Sequence, residues 1–144
     1  MADTFQFEIV TPAKATLSQA AELVIIPGAA GDFGVLPGHA PMLSTLRPGT
    51  IEIRDRTLKI LQRVFVEGGF AEVTPERCTI LAEEAVAVES ISRDDAETRV
   101  KRAHDALMLA KNLGVRTDAE RDVLAAEAML AAVVAFETSQ TRAH

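Results

Sequence analysis

The repeat distance of the apolar residues changes near Val88, and a chain with two periods cannot close as a single kind of layer. Up to that point the texture is that of strands. Phe5, Phe7 and Ile9 alternate with Gln6, Glu8 and Val10, the period-two sign of a half-buried strand. Short apolar runs follow at residues 23–26, 35–36, 51–53, 58–61, 64–66, 70–73 and 79–81. Pro12, Pro27-Gly28, Pro37-Gly38, Pro48-Gly49, Asp55-Arg56, Gly68-Gly69 and Pro75-Glu76 punctuate them. Many short strands broken this often predict an antiparallel β-sandwich or flattened barrel over residues 1–88. A domain of that length closes one core with a modest margin. Gly68-Gly69, between Val66 and Phe70, predicts a tight hairpin in which both glycines take positive φ.

Beyond Val88 the period becomes helical. Ser90 or Ser92 can cap a helix whose first turns carry Asp94, Asp95 and Glu97, favourable at the positive end of the dipole. Ala96, Val100, Ala103, Leu107 and Ala110 then recur at spacings of four and three, one face of an α-helix. Asn112-Leu113-Gly114 reads as its stop. Asp118 opens a second helix with a stripe at Val123, Glu127, Leu130 and Val134, widened by Met129, Val133 and Phe136. Alanines at 125, 126, 128, 131, 132 and 135 let another backbone approach closely. Residues 89–144 are therefore expected to form an antiparallel α-helical hairpin. Such a pair has little core of its own, so it must lean on the sandwich or on a partner, and it is the part expected to move.

Charge and cysteine usage narrow the function. The net charge is −6, and both halves are acidic: residues 1–88 carry 7 Lys/Arg against 11 Asp/Glu, residues 89–144 carry 8 against 10. Nucleic-acid binding, which needs a basic stripe to displace counterions, is not expected. The single cysteine, Cys78, allows no internal disulfide and sits in a strand-like run where a buried thiol is the expectation. No basic segment followed by an apolar run stands at the N-terminus, so no secretory signal is read. The longest apolar stretch, 123–136, contains Glu127 and falls short of the ~20 residues of a membrane helix. A soluble, cytoplasmic chain without direct membrane insertion is expected, any membrane association coming through a partner.

The densest punctuation lies in residues 27–41, PGAAGDFGVLPGHAP. Gly28, Gly31 and Gly34 fall three apart, and Pro37, Gly38, His39 and Pro41 close the run. Glycine admits positive φ and proline fixes φ near −65°, so the segment specifies a shaped loop. It is no phosphate cradle. A Walker A loop needs Gly-Lys-Ser/Thr, and no lysine occurs between Lys14 and Lys59. The dinucleotide fingerprint needs its first two glycines two apart. The loop is thus expected to display a surface. Asp32 is placed at its crest, and an exposed Phe33 beside it calls for a partner to cover it. His39 has no triad to join, with His104 in a helix and His144 in the tail; a hydrogen bond to loop backbone or an interface is its expected role. Three scattered histidines make no zinc site, and no metal or cofactor is expected. Glu83 and Glu84, read as strand neighbours, point to opposite faces and serve as surface charge.

Together these segments resemble the epsilon subunit family of bacterial F-type ATP synthases. The resemblance is carried by residues 27–41, by Phe5-Gln6-Phe7-Glu8-Ile9-Val10-Thr11-Pro12, by Leu46-Arg47-Pro48-Gly49-Thr50-Ile51-Glu52-Ile53, and by Val66-Glu67-Gly68-Gly69-Phe70-Ala71-Glu72-Val73. It covers most of residues 5–88 in order, and the helical end more loosely. It implies a non-catalytic rotor subunit of the central stalk, peripheral on the cytoplasmic face of the bacterial inner membrane. The implied partners are the gamma subunit, the c-ring and, transiently, the alpha/beta catalytic head. Ala29, Ala30, Gly31, Asp32 and Phe33 are the implied c-ring contact, with Gly28, Gly34, Pro37, Gly38, His39 and Pro41 shaping the loop or its interface. Apolar residues on one sandwich face, or the stripe around Leu130 and Val134, are the alternative gamma surfaces. Some members bind ATP through an Ile-Asp-x-x-Arg-Ala motif; the matching stretch here is Ile91-Ser92-Arg93-Asp94-Asp95-Ala96. Asp95 puts a carboxylate where a cation should meet phosphate, so no nucleotide site is expected. In others a basic second helix restrains hydrolysis, whereas residues 118–136 offer one base, Arg121, against Asp118, Glu120, Asp122 and Glu127. Weak restraint at most is expected. Two readings from other classes stay open: a free-standing ATP-responsive regulatory module, and a small hydrolase using His39.

Overall fold

The computed structural model describes residues 3–13 and 15–142, so His144 lies outside the described residues. The chain divides into two compact units, residues 1–87 and 88–144.

The first unit holds β1 (Phe5–Val10), β2 (Ala15–Ala21), β3 (Leu23–Gly28), β4 (Gly31–Val35), β5 (Met42–Leu46), β6 (Gly49–Arg54), β7 (Ile60–Val66), β8 (Gly69–Val73), β9 (Arg77–Leu81) and β10 (Ala85–Ala87). They order as β10-β7-β6-β3-β5-β8-β9-β1-β2, with β4 on the free side of β3. β3 meets β5 through the single pair Gly28↔Leu46, so the sheet folds there into two five-strand halves. Phe7, Ile9, Val73, Cys78 and Ile80 from one half close on Val24, Ile26, Ile51, Ile53 and Val66 from the other in one core. This is the expected sandwich, filled by the inward members of each alternation: Phe5, Phe7 and Ile9 are buried while Gln6, Glu8 and Val10 are half-exposed.

Three local expectations are corrected. Gly68 and Gly69 do take positive φ (126° and 125°), yet β7 and β8 do not pair. The glycines carry the chain from one half-sheet to the other. A Cβ on Gly69 would lie 2.0 Å from the Leu81 carbonyl oxygen, so glycine serves close backbone approach as well as the turn. β1 and β9 run parallel, Gln6↔Arg77 to Val10↔Leu81, in an otherwise antiparallel sheet. A parallel pair needs a long crossover, and the strands between β1 and β9 supply it. Glu83 and Glu84 lie between β9 and β10, outside any strand, and both are exposed.

The second unit opens with a 3₁₀ turn, Val88–Ser90, followed by α1 (Arg93–Leu109) and α2 (Leu113–Arg142). Ser92, not Ser90, caps α1: its Oγ accepts from the Asp95 amide at 3.3 Å. The predicted stop at residues 112–114 is instead a start. Asn112 Oδ1 accepts from the Val115 amide at 2.9 Å, so Asn112 caps α2, which begins well before Asp118. Ala103 packs with Val123 and Ala126, flanked by Val100 and Leu107. The buried face of α2 is Ala119, Val123, Ala126 and Val133, with Ala125 and Ala132 beside it. That is rotated from the predicted stripe: Glu127 and Val134 are exposed and Leu130 half-buried. Small alanines permit close helix approach and so displace the larger side chains outward. Arg93–Glu137 (3.2 Å), Arg99–Asp122 (3.0 Å) and His104–Glu127 (2.8 Å) tie the two helices across their edges.

Candidate functional site

The punctuated segment is a hairpin followed by a loop, not a loop throughout. β3 and β4 pair from Val24↔Val35 to Gly28↔Gly31, leaving Ala29-Ala30 as the exposed crest. Gly31 turns the chain with φ 138°. Asp32 is therefore not at the crest; it lies one step behind it, opposite Pro27. Phe33 does not stand free either. It is half-buried, packs against the sandwich core, and its ring passes so close to Gly28 that an added Cβ would sit 2.9 Å from Cε1.

Arg47, a residue given no role from sequence, organises this hairpin. Its Nη1 donates to the Gly28 carbonyl at 2.6 Å and its Nη2 to Asp32 Oδ1 at 2.5 Å. Its backbone amide donates to the Pro27 carbonyl at 3.0 Å, while the Ala29 amide donates to the Thr45 carbonyl at 2.9 Å. The end of β5 thus straps the hairpin from both strands. Nothing local signals this: Arg47 and Asp32 are 15 positions apart and meet only once β5 is laid beside β3.

The following loop is held by its own backbone. The Gly38 amide donates to the Pro75 carbonyl at 2.9 Å, with Gly38 at φ 82°, and the His39 amide donates to the Leu36 carbonyl at 3.1 Å. His39 Nδ1–H donates to the Ala40 carbonyl at 2.7 Å, which occupies the ring in loop structure. Pro37 is half-buried, Pro41 exposed, and Gly34 lies within β4 with room for no more than ordinary contact beside Ile25. Neither Cys78 nor His104 joins this site. Burial pushes the Cys78 thiol up to about 12, which leaves it protonated and inert. His104 Nε2 faces Glu127 across the helix pair. Ser92 and Asp95, from the stretch matching the ATP motif, are engaged in the α1 cap. Among the described residues no group of three or more His, Cys, Asp or Glu side chains converges as metal ligands.

A second surface lies on the outer face of the other half-sheet. Thr45, Phe70, Leu81 and Val10 are successive cross-strand neighbours over β5, β8, β9 and β1. Phe70 is 51% exposed, Leu81 48% and the adjacent Leu43 73%. Val10, Pro12, Gly69, Phe70 and Leu81 line an open groove of about 360 Å³ there. Contiguous exposed apolar side chains make this face a candidate for partner contact. No helix among the described residues is long and apolar enough to cross a membrane.

Comparison with known proteins identifies the family. Residues 4–88 match the family described as ATP synthase, Delta/Epsilon chain, beta-sandwich domain. An ATP synthase epsilon chain of Paramagnetospirillum magneticum is 51% identical, covering 92% of this chain and 99% of the relative. One from Rhodospirillum rubrum is 45% identical, covering 92% and 98%. Among solved structures, a chain of the Euglena gracilis mitochondrial ATP synthase OSCP/F1/c-ring assembly shares the fold with a TM-score of 0.80 at 23% identity, over 92% of this chain and 83% of that one. A chain of the Tetrahymena thermophila mitochondrial ATP synthase central stalk and c-ring does so at 0.61 and 14%, over 90% and 96%.

Proposed function

This chain belongs to the delta/epsilon chain family of the ATP synthases, and from that premise we propose that it is the non-catalytic epsilon subunit of a bacterial ATP synthase rotor. The observation that carries the reading is 45–51% identity, over 92% of this chain, with relatives named ATP synthase epsilon chain. On it, proton-driven rotation of the c-ring reaches the catalytic head through this chain and gamma, with the protein peripheral on the cytoplasmic face of the inner membrane. The geometry supplies what such a part needs: two separate surfaces on one well-packed sandwich. The crest Ala29-Ala30, with Gly31, Asp32 and Phe33, is the c-ring contact, and Pro37, Gly38, His39 and Pro41 shape the loop that follows or join its interface. The apolar strip of Leu43, Phe70, Leu81 and Val10 is the gamma surface. Gamma fits that strip because its solvent-exposed apolar side chains gain most from a partner held permanently against them. The helical unit touches the alpha/beta head transiently and restrains hydrolysis weakly, because α2 lacks the basic face that would draw it to acidic segments.

The test is affinity capture of the tagged full chain from detergent-solubilised membranes, scoring gamma recovery and the ratio of c-ring to gamma. Phe70→Asp/Leu81→Asp should lose gamma, since it buries two charges in an apolar contact. Ala29→Arg/Ala30→Arg should keep gamma and lower the ring ratio. Capture of neither subunit by the unaltered chain, from membranes shown to contain intact synthase, would sink the assignment.

A further inference from the structure

We propose that Arg47 is the positioning residue of the ring-facing hairpin, and that Asp32 serves the contact through Arg47 rather than by offering its carboxylate to the ring. The inference rests on the reading of the hairpin as the c-ring contact and specifies how its charge is used. Among the described residues β4 pairs with β3 alone, so the hairpin has an unpaired far edge. Gly28 and Gly31, the pair next to the crest, bring no side chains of their own, and the Phe33 ring packs on the Gly28 side only. A further restraint comes from the end of β5. The planar guanidinium of Arg47 bridges the two hairpin strands, taking the Gly28 carbonyl on one and Asp32 on the other. A fork with two parallel donors can do this; a lysine ammonium, a single point donor on a flexible stem, cannot hold both acceptors in one plane. Both side chains remain partly in water, 44% and 60% exposed. The pair therefore contributes little to global stability, and its consequence is local: a neutralised hairpin whose uncharged crest keeps one orientation.

The test uses the full chain, in isolation and in assembled synthase. Its local readout is amide hydrogen exchange at Ala29, whose N–H is bonded to Thr45 in the strapped hairpin, with the Ile9 amide as a control for global unfolding. Arg47→Ala and Asp32→Ala should each speed exchange at Ala29, leave Ile9 unchanged, and lower the ring-to-gamma ratio by about fivefold, the scale of an exposed ion pair with one added charge-assisted hydrogen bond. Arg47→Lys should recover little. Asp32→Asn, whose amide oxygen can still accept from Arg47 Nη2, should keep most of both readouts. If Asp32→Asn kept Ala29 protected but lost ring capture, the Asp32 charge would itself serve the ring and the proposal would be overturned. Unchanged Ala29 exchange in both alanine variants would overturn it as well. Exchange that rises in the alanine variants and not in Asp32→Asn, with ring capture unmoved by these variants and by Ala29→Arg/Ala30→Arg, would keep Arg47 as the hairpin's strap and reject the ring-facing reading instead.

Discussion

Two residues of the sandwich show how local chemistry fixes it, and each gives a measurable expectation. Glu8 on β1 accepts hydrogen bonds from Arg77 (2.6 Å) and Thr79 (3.0 Å) on the parallel neighbour β9. The Arg77 hydrogen bond first, then that of Thr79, hold its carboxyl below its ordinary 4.5. A depressed carboxylate stabilises the fold fully above its unfolded value, and the contribution fades as pH falls through the lower folded value. Glu8→Gln should therefore lower the urea midpoint at neutral pH, and the gap from the unaltered chain should close progressively below pH 4.5. A gap that stayed constant down that acid limb would remove the parallel β1–β9 bridge from the account. Gly69 and Gly31 both have positive φ, but their surroundings differ. An alanine at 69 would strike the Leu81 carbonyl, whereas one at 31 meets nothing within 4 Å. Gly69→Ala should cost about 3 kcal/mol or more in chemical denaturation, combining strain with a backbone collision. Gly31→Ala should cost about 1 kcal/mol, from backbone strain alone. Equal costs would mean that the close approach of β8 to Leu81 does not constrain the fold.

At the level of elements, what could be read from the sequence depended on whether burial was one-sided. β1 was legible because its inward residues are large and its outward ones polar. β2 was not: Ser18, Gln19, Ala20 and Ala21 carry no strong alternation, since this strand ends the sheet and pairs on one side with β1. β5 escaped for the opposite reason, its outward Leu43 being as apolar as a core residue while 73% exposed. The α2 face was misread because period counts weight Leu130 and Val134 above Ala119 and Ala126, whereas close helix packing favours the smallest side chains. The strap on the hairpin has no local sign for a different reason: it joins the residue after β5 to β3 and β4 and depends on register, which no local pattern encodes. Asn112 is the remaining reversal, a residue that reads equally well as the end of one helix or the cap of the next. Its side chain decides for the latter. Asn112→Ala should cost the helical unit about 1 kcal/mol and speed exchange at Val115, while Asn112→Asp keeps the cap. If the alanine variant left Val115 protection intact, the cap would carry no energy.

For the whole molecule, the two units separate the roles that a rotor subunit must combine. Torque transmission needs a stiff body, and the sandwich core supplies one that draws large apolar residues from both half-sheets. The helical unit is built otherwise. Its buried residues are mostly alanines, with Ala103, Val123 and Ala126 clustered between the helices, and among the described residues Arg93–Glu137, Arg99–Asp122 and the His104–Glu127 hydrogen bond lie at the edges. Exposed pairs of this kind contribute at most about 1 kcal/mol each, so the small apolar seam carries most of what holds the two helices together. Opening alone does not make an inhibitor, because an opened α2 must also find an attractive partner. Its central stretch carries Asp118, Glu120, Asp122 and Glu127 against Arg121, a net negative segment repelled by acidic segments and screened from distant bases within about 10 Å at moderate salt. Removing residues 89–144 from assembled synthase should therefore raise ATP hydrolysis by less than about twofold, under ~0.5 kcal/mol of barrier, with gamma and c-ring retained. A several-fold release would show that α2 engages the head through its apolar exposures rather than its charge. The exposed Leu124 and Val134 would then be the residues to replace. A small release that persisted unchanged across a salt titration would fit a helical unit that takes no electrostatic hold on the head at all.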